Sequence, residues 1–125
     1  LGKEDRMQYH AVPSVIYTNP EVAGVGETGE TAAAKGVDCR VAGLPMNYSG
    51  RYMAENERGD GICKVLAEKE SQRIIGVHLI GNYSSEMIYG AALMIEKGMQ
   101  VQDIKKMIFP HPTVSEIIRE AVLEL

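Results

Sequence analysis

Apolar residues fall at two spacings along the chain, and the change between them divides it. As far as residue 80 they come in short runs or alternate with polar ones. Val12 to Tyr17 is a short apolar run closed by the turn signal Asn19-Pro20, which predicts a strand. Glu30 to Lys35 is alanine-rich and stops at Gly36, which predicts a short helix with a glycine just past its end. From Val37 the pattern alternates, with Val37, Cys39 and Val41 on one face and Asp38 and Arg40 on the other, as in a half-buried strand. Tyr48 to Asp60 is polar and rich in turn formers. Ile62 to Glu68 and Arg73 to Ile80 then read as the two arms of a hairpin around Lys69 to Gln72. In the second arm Ile75, Val77 and Leu79 share one face and Gly76, His78 and Ile80 the other.

After Gly81 the spacing becomes three and four. Ser84 or Ser85 is placed to cap a helix that runs to about Lys97 and stops at Gly98. Met87, Ile88, Ala91, Ala92, Leu93, Met94 and Ile95 leave it little polar face, so it is expected to be buried on more than one side, in part against another subunit. Val101, Ile104, Met107 and Ile108 mark a shorter helix. Val114, Ile117, Ile118, Ala121, Val122 and Leu125 mark the last one. The expected class is α+β, an antiparallel sheet of three to five strands with helices packed on one face. The expected order is a short helix first, then strands, then helices.

With 125 residues, 45% apolar and 24% charged, the chain is expected to form a single domain, residues 1–125, with a real core. The polar segment 1–11 reads as a linker leading in from a longer protein. A net charge of −4 argues against nucleic acid as a partner. No apolar run approaches the length of a membrane span, about 20 residues. Cys39 and Cys63 can be written as a disulfide, but two reduced, buried thiols of a cytoplasmic-type protein are the better account. Asn47-Tyr48-Ser49 and Asn82-Tyr83-Ser84 match the glycosylation pattern, which in the absence of a secretory signal is read as coincidence.

The chemistry concentrates near the C-terminus, in Phe109-Pro110-His111-Pro112-Thr113-Val114-Ser115-Glu116. Two prolines fix the backbone on either side of His111 and hold it on a stiff strap. Glu116 follows five positions later. A positioned imidazole beside a carboxylate is what acid/base chemistry needs. Glu116 has a second account: Thr113 to Glu116 is spaced as a capping box, with the Thr113 hydroxyl on the Glu116 amide and the Glu116 carboxylate on the Thr113 amide. Spacing alone favours the cap, and both uses draw on one carboxylate. Gly24-Val25-Gly26-Glu27-Thr28-Gly29 has the letters of a dinucleotide-binding turn, but no full βαβ unit follows and no acidic residue stands about 20 positions on. A plain glycine-bearing loop after the first strand is expected there. His78 is read as a packing or surface residue and His10 as part of the polar lead-in. No His, Cys, Asp and Glu cluster has the spacing of a metal site. These residues include one candidate base and no nucleophile, metal or cofactor cradle.

Val12 to Ala23 with Val25-Gly26-Glu27-Thr28, Ile75 to Gly81, Glu86-Met87-Ile88 and His111 to Glu116 together resemble the C-terminal interface domain of the flavin-dependent pyridine nucleotide-disulfide oxidoreductases. The resemblance covers nearly the whole chain in order and is closest to the dihydrolipoamide dehydrogenase branch. It implies a homodimeric enzyme with FAD and NAD domains that lie outside this chain. Each active site would combine the flavin and a redox disulfide of one subunit with His111 and Glu116 of the other. The resemblance makes His111 the base for the dihydrolipoamide thiol and Glu116 its orienting partner. It brings the His111 backbone to the partner's FAD and makes His111-Pro112 a candidate cis peptide. It also implies a lipoyl-bearing protein of a 2-oxoacid dehydrogenase or glycine cleavage complex as partner, in the cytoplasm or the mitochondrial matrix. By the same reading the isolated domain is inactive and binds no cofactor of its own. Cys39 and Cys63 do not match the family's redox pair. A non-catalytic dimerisation module and the interface domain of a glutathione reductase-like enzyme are the alternatives.

Overall fold

The computed structural model describes residues 2, 4 and 6–125, so part of the lead-in segment 1–11 lies outside the described residues. Five strands form one antiparallel sheet in the order β1-β2-β5-β4-β3: β1 Ser14–Ile16, β2 Val22–Gly26, β3 Cys39–Pro45, β4 Ile62–Glu68 and β5 Ile74–Ile80. The helices are α1 Gly29–Ala34, α2 Gly50–Glu55, α3 Ser84–Glu96, α4 Val101–Lys105 and α5 Glu116–Leu123. The class is α+β as the spacing implies, but two strands precede α1, and β1 is shorter than its apolar run. Gly24, Val25 and Gly26 are not in a loop. They pair with His78, Val77 and Gly76 of β5 and are the second half of β2.

The sheet's two faces differ in what covers them. Ala42, Val65, Val77 and Val25 form one cross-strand row, and Leu44, Cys63, Leu79 and Ala23 form another. Both rows point at the helices, with α3 against β2 and β5 and α5 against β3 and β4. Together with Met87, Ile88, Ala91, Ile117, Ile118 and Val122 they make the core. A bulge between Leu66 and Ala67 adds Ile74 to it. On the other face α1 lies against β3, where Leu66 is fully buried. Ile16, Val22, Ile80 and Ile62 form an apolar row further along that face.

The alternation in β3 runs opposite to the expectation. Ala42 is buried toward the helices, whereas Val41 is 50% exposed on the face it shares with Cys39. Arg40 takes an inward position because its guanidinium has partners there, the Leu125 carbonyl and the Gln72 side chain. Pattern reading assumes that the apolar face is the inner one, and here a paired charge reverses it.

Two helix starts also differ. Tyr83, not a serine, stands at the N-cap of α3, in the left-handed region at φ 70°. The Ser84 hydroxyl donates to Gly81 O at 2.6 Å, and the Ser85 amide donates to the carboxylate of Glu21, 64 positions away, at 2.9 Å. A tertiary carboxylate does here what a local side chain usually does. Within the single chain α3 is buried along one stripe only, with Tyr89 and Leu93 exposed. The polar stretch 48–60 contains α2, capped by Ser49 and held by the buried Tyr52, whose hydroxyl donates to Asp60 O at 2.7 Å.

Candidate functional site

The strap leaves α4 at Lys105 and joins α5 at Glu116. Its first residues turn outward, Ile108 being 97% exposed, and Val114 returns to the core. The His111-Pro112 peptide is cis, and so is Asn19-Pro20. His111 protrudes with 80% of its side chain exposed, while Glu116 is only 22% exposed. Five residues apart in sequence, the two meet: His111 Nδ1 lies 2.9 Å from Glu116 Oε1 and 3.1 Å from Oε2.

Thr113 organises the turn. Its amide donates to Glu116 Oε2 at 2.9 Å, its hydroxyl donates to Pro110 O at 2.7 Å, and its carbonyl accepts from the Ser49 hydroxyl at 3.1 Å. The capping box is therefore half formed. The carboxylate reaches back to the Thr113 amide, but the threonine hydroxyl closes the strap instead of capping the helix. α5 starts at Glu116 behind Ser115, which makes no side-chain cap. The reason is geometric: prolines at 110 and 112 offer no N–H, so the Pro110 carbonyl takes the nearest free donor. The Thr113 amide holds the Glu116 carboxyl below the ordinary value of 4.5, against its partial burial, and His111 and then Arg119 act in the same direction. Glu116 is accordingly ionised at neutral pH, and an ionised carboxylate accepts but cannot donate. A neutral His111 must then carry its proton on Nδ1, leaving the Nε2 lone pair outward. Nε2 has no hydrogen-bond partner among the described residues.

The other histidines are built differently. His78 lies over Gly24, where an added Cβ would come within 2.7 Å of the ring, and its Nε2 is 2.8 Å from Glu27 O. That ring packs and bridges. His10 pairs with Glu96 at 3.2 Å, beside the C-terminal end of α3. The cysteines are separate: Cys39 stands opposite Glu68 and Cys63 opposite Leu44, at opposite ends of the β3–β4 ladder. Five residues of strand span about 17 Å, too far for a disulfide. Burial pushes the Cys63 thiol up to about 12. Among the described residues no group of three or more His, Cys, Asp or Glu could hold a metal ion, and no helix is long and apolar enough to cross a membrane. A groove runs beside the strap, lined by Pro112 and Val114 on one side and by Arg51, Tyr83 and Met87 on the other.

Residues 12–122 match the family described as the pyridine nucleotide-disulphide oxidoreductase dimerisation domain. The chain belongs to this family. It is 42% identical over 122 residues to the mitochondrial dihydrolipoyl dehydrogenase of Caenorhabditis elegans, covering 98% of this chain and 24% of that protein. It is 38% identical over 122 residues to the leghemoglobin reductase of Glycine max, covering 98% of this chain and 23% of that one. Among solved structures it superposes on the HOCl-induced flavoprotein disulfide reductase RclA of Escherichia coli with a TM-score of 0.89 and 28% identity, over 98% of this chain and 28% of that one. The chain thus spans about a quarter of the curated relatives it matches.

One residue at the site, Ser49, is not marked by the sequence pattern. Ser49 was visible only as the end of a glycosylation match, although a serine ahead of Gly-Arg-Tyr-Met-Ala-Glu is a legible N-cap signal.

Proposed function

We propose that this domain belongs to a homodimeric dihydrolipoamide dehydrogenase and lends His111 and Glu116 to the partner subunit's active site. The reading rests on one observation: a protruding imidazole whose Nδ1 sits on a carboxylate held ionised from below. In that arrangement His111 Nε2 takes the proton from the dihydrolipoamide thiol, and the thiolate so formed is the species that attacks a disulfide. Glu116 keeps the ring in the tautomer that leaves Nε2 free and stabilises the imidazolium once it forms. Proton return from Nε2 completes the reverse direction.

FAD is the electron acceptor of the full enzyme and NAD its final oxidant in this reading. The residues present fit a flavin held elsewhere: the His111 main-chain N–H and C=O have no partner among the described residues and are free to meet the partner subunit's flavin. Among the described residues Gly24 to Gly26 form no glycine-rich βαβ cradle, since β2 is antiparallel to its neighbours. Residues 1–11 would be the lead-in from the preceding domain. A lipoyl-bearing protein is the partner that brings the substrate, in the cytoplasm or the mitochondrial matrix. The leghemoglobin reductase relative favours a second reading, in which the same pair serves another acceptor in a related reductase.

In the full-length enzyme His111→Gln should lower dihydrolipoamide turnover by about two to four orders of magnitude, the usual contribution of a general base, with flavin content unchanged. Turnover within twofold of the parent would remove His111 from the reaction.

A further inference from the structure

Two polar residues are fully buried among the described ones, Ser49 and Ser84. The Ser84 hydroxyl serves its own turn, three residues back. That of Ser49, which is 2% exposed, crosses 64 positions to the Thr113 carbonyl at 3.1 Å and accepts from the Tyr52 amide at 3.1 Å. Among the described residues it is the one hydrogen bond from residues 108–115 to a part of the chain beyond the strap and α5. The strap's internal bond, Thr113 hydroxyl to Pro110 carbonyl, closes it on itself without anchoring it.

We infer that Ser49 is a positioning residue for the His111–Glu116 pair. This rests on the role proposed above for that pair. The order of holds is continuous. The Ser49 hydroxyl fixes the Thr113 carbonyl, the Thr113 amide fixes Glu116 Oε2, and Glu116 fixes the imidazole through Nδ1. The Thr113 carbonyl and amide lie in the two peptide planes joined at its Cα, so a carbonyl freed from Ser49 lets that Cα shift and carry the amide with it. A serine suits the place because its one O–H donates to the strap while its oxygen still caps α2. Threonine can do both and alanine neither.

The test uses the full-length enzyme. Ser49→Ala should lower kcat for dihydrolipoamide about tenfold with KM unchanged, short of the ~100-fold that a full ångström of misplacement can cost. The Glu116 carboxyl, followed by NMR in the same variant, should titrate closer to its ordinary value, because, left facing only His111 and Arg119, it loses the amide that most lowers its pKa. Ser49→Thr should restore both. If Ser49→Ala fails to fold, Ser49→Cys, of similar size and a weak donor, should show the same two changes in smaller degree. Parental kcat and an unmoved Glu116 titration in Ser49→Ala, or in Ser49→Cys where the alanine variant does not fold, would overturn the proposal and leave Ser49 a cap for α2. The two failures separate. Normal turnover in His111→Gln removes the base and this proposal with it. A crippled His111→Gln beside parental kinetics in the Ser49 variant removes Ser49 alone.

Discussion

A threonine opens the same capping spacing at α1 and at the approach to α5, and the two are put to different use. At α1, Thr28 and Thr31 form the complete reciprocal box: the Thr31 amide donates to the Thr28 hydroxyl at 3.1 Å and the Thr28 amide donates to the Thr31 hydroxyl at 2.8 Å. At α5, Thr113 and Glu116 form only the second half, and the carboxylate turns its remaining capacity toward His111. The first box satisfies a helix end, and its Thr31 hydroxyl also steadies the neighbouring Glu27 carboxylate. The second leaves the helix end less well capped and gains an oriented imidazole. Local spacing is identical, so the difference comes from the neighbours: two prolines that leave the Pro110 carbonyl in need of a donor, and a histidine within reach of Glu116.

Substitutions at matching positions should pull the two apart. The largest contrast is expected between Glu116→Ala and Thr31→Ala in the full-length enzyme. Glu116→Ala should lower turnover by about 100-fold or more, the order lost when an acid/base histidine loses its orienting carboxylate. Thr31→Ala should leave turnover unchanged. Equal turnover in the two variants would make the α5 box a cap and no more. In chemical denaturation the ranking should reverse or level out. Thr28→Ala, which removes an N-cap hydroxyl, should cost about 1 kcal/mol, and Thr113→Val no more than that, since its hydroxyl closes a surface turn. A Thr113→Val variant much less stable than Thr28→Ala would show that the strap, not the helix end, carries the stability.

The smallest expected effect is one of pH. The folded Glu116 carboxyl is held below its ordinary value of 4.5, so its contribution to stability is complete above that value. It is lost as pH falls through the depressed folded value, because protonation then favours the unfolded chain. The α1 box is made of hydroxyls and does not titrate. The stability gap between the parent and Glu116→Gln should therefore close on acidification below about pH 4.5, whereas the gap between the parent and Thr28→Ala should stay constant. Parallel curves for both would mean that the Thr113 amide does not hold the carboxylate as described.

Much of this was legible from residue order. The hairpin Ile62 to Ile80, the stop of α3 near Gly98, the apolar stripe of α5 and the meeting of His111 with Glu116 all follow from local rules acting over a few residues. The misreadings have a common source in distant partners. β3 faces the other way because Arg40 finds acceptors at Gln72 and Leu125. The start of α3 is capped by Glu21 from the β1–β2 turn. Gly24 to Gly26 is strand because β5 pairs with it. The helical turn after Ser49 is short and polar, and only burial of Tyr52 makes it stable enough to form.

By itself the sequence determined the chemistry available. One histidine is locked between prolines, one carboxylate stands a helical turn beyond it, and there is no redox cysteine pair of the family's spacing. These are covalent facts, and the proline restraint acts whatever the rest of the chain does. Tertiary structure alone decided how Thr113 divides its three polar groups and which buried hydroxyl anchors it. Local spacing permits a full cap and a half cap equally. The choice depends on which donors and acceptors arrive from 64 residues away, because a buried polar group must be paired and takes the partner that the fold brings to it.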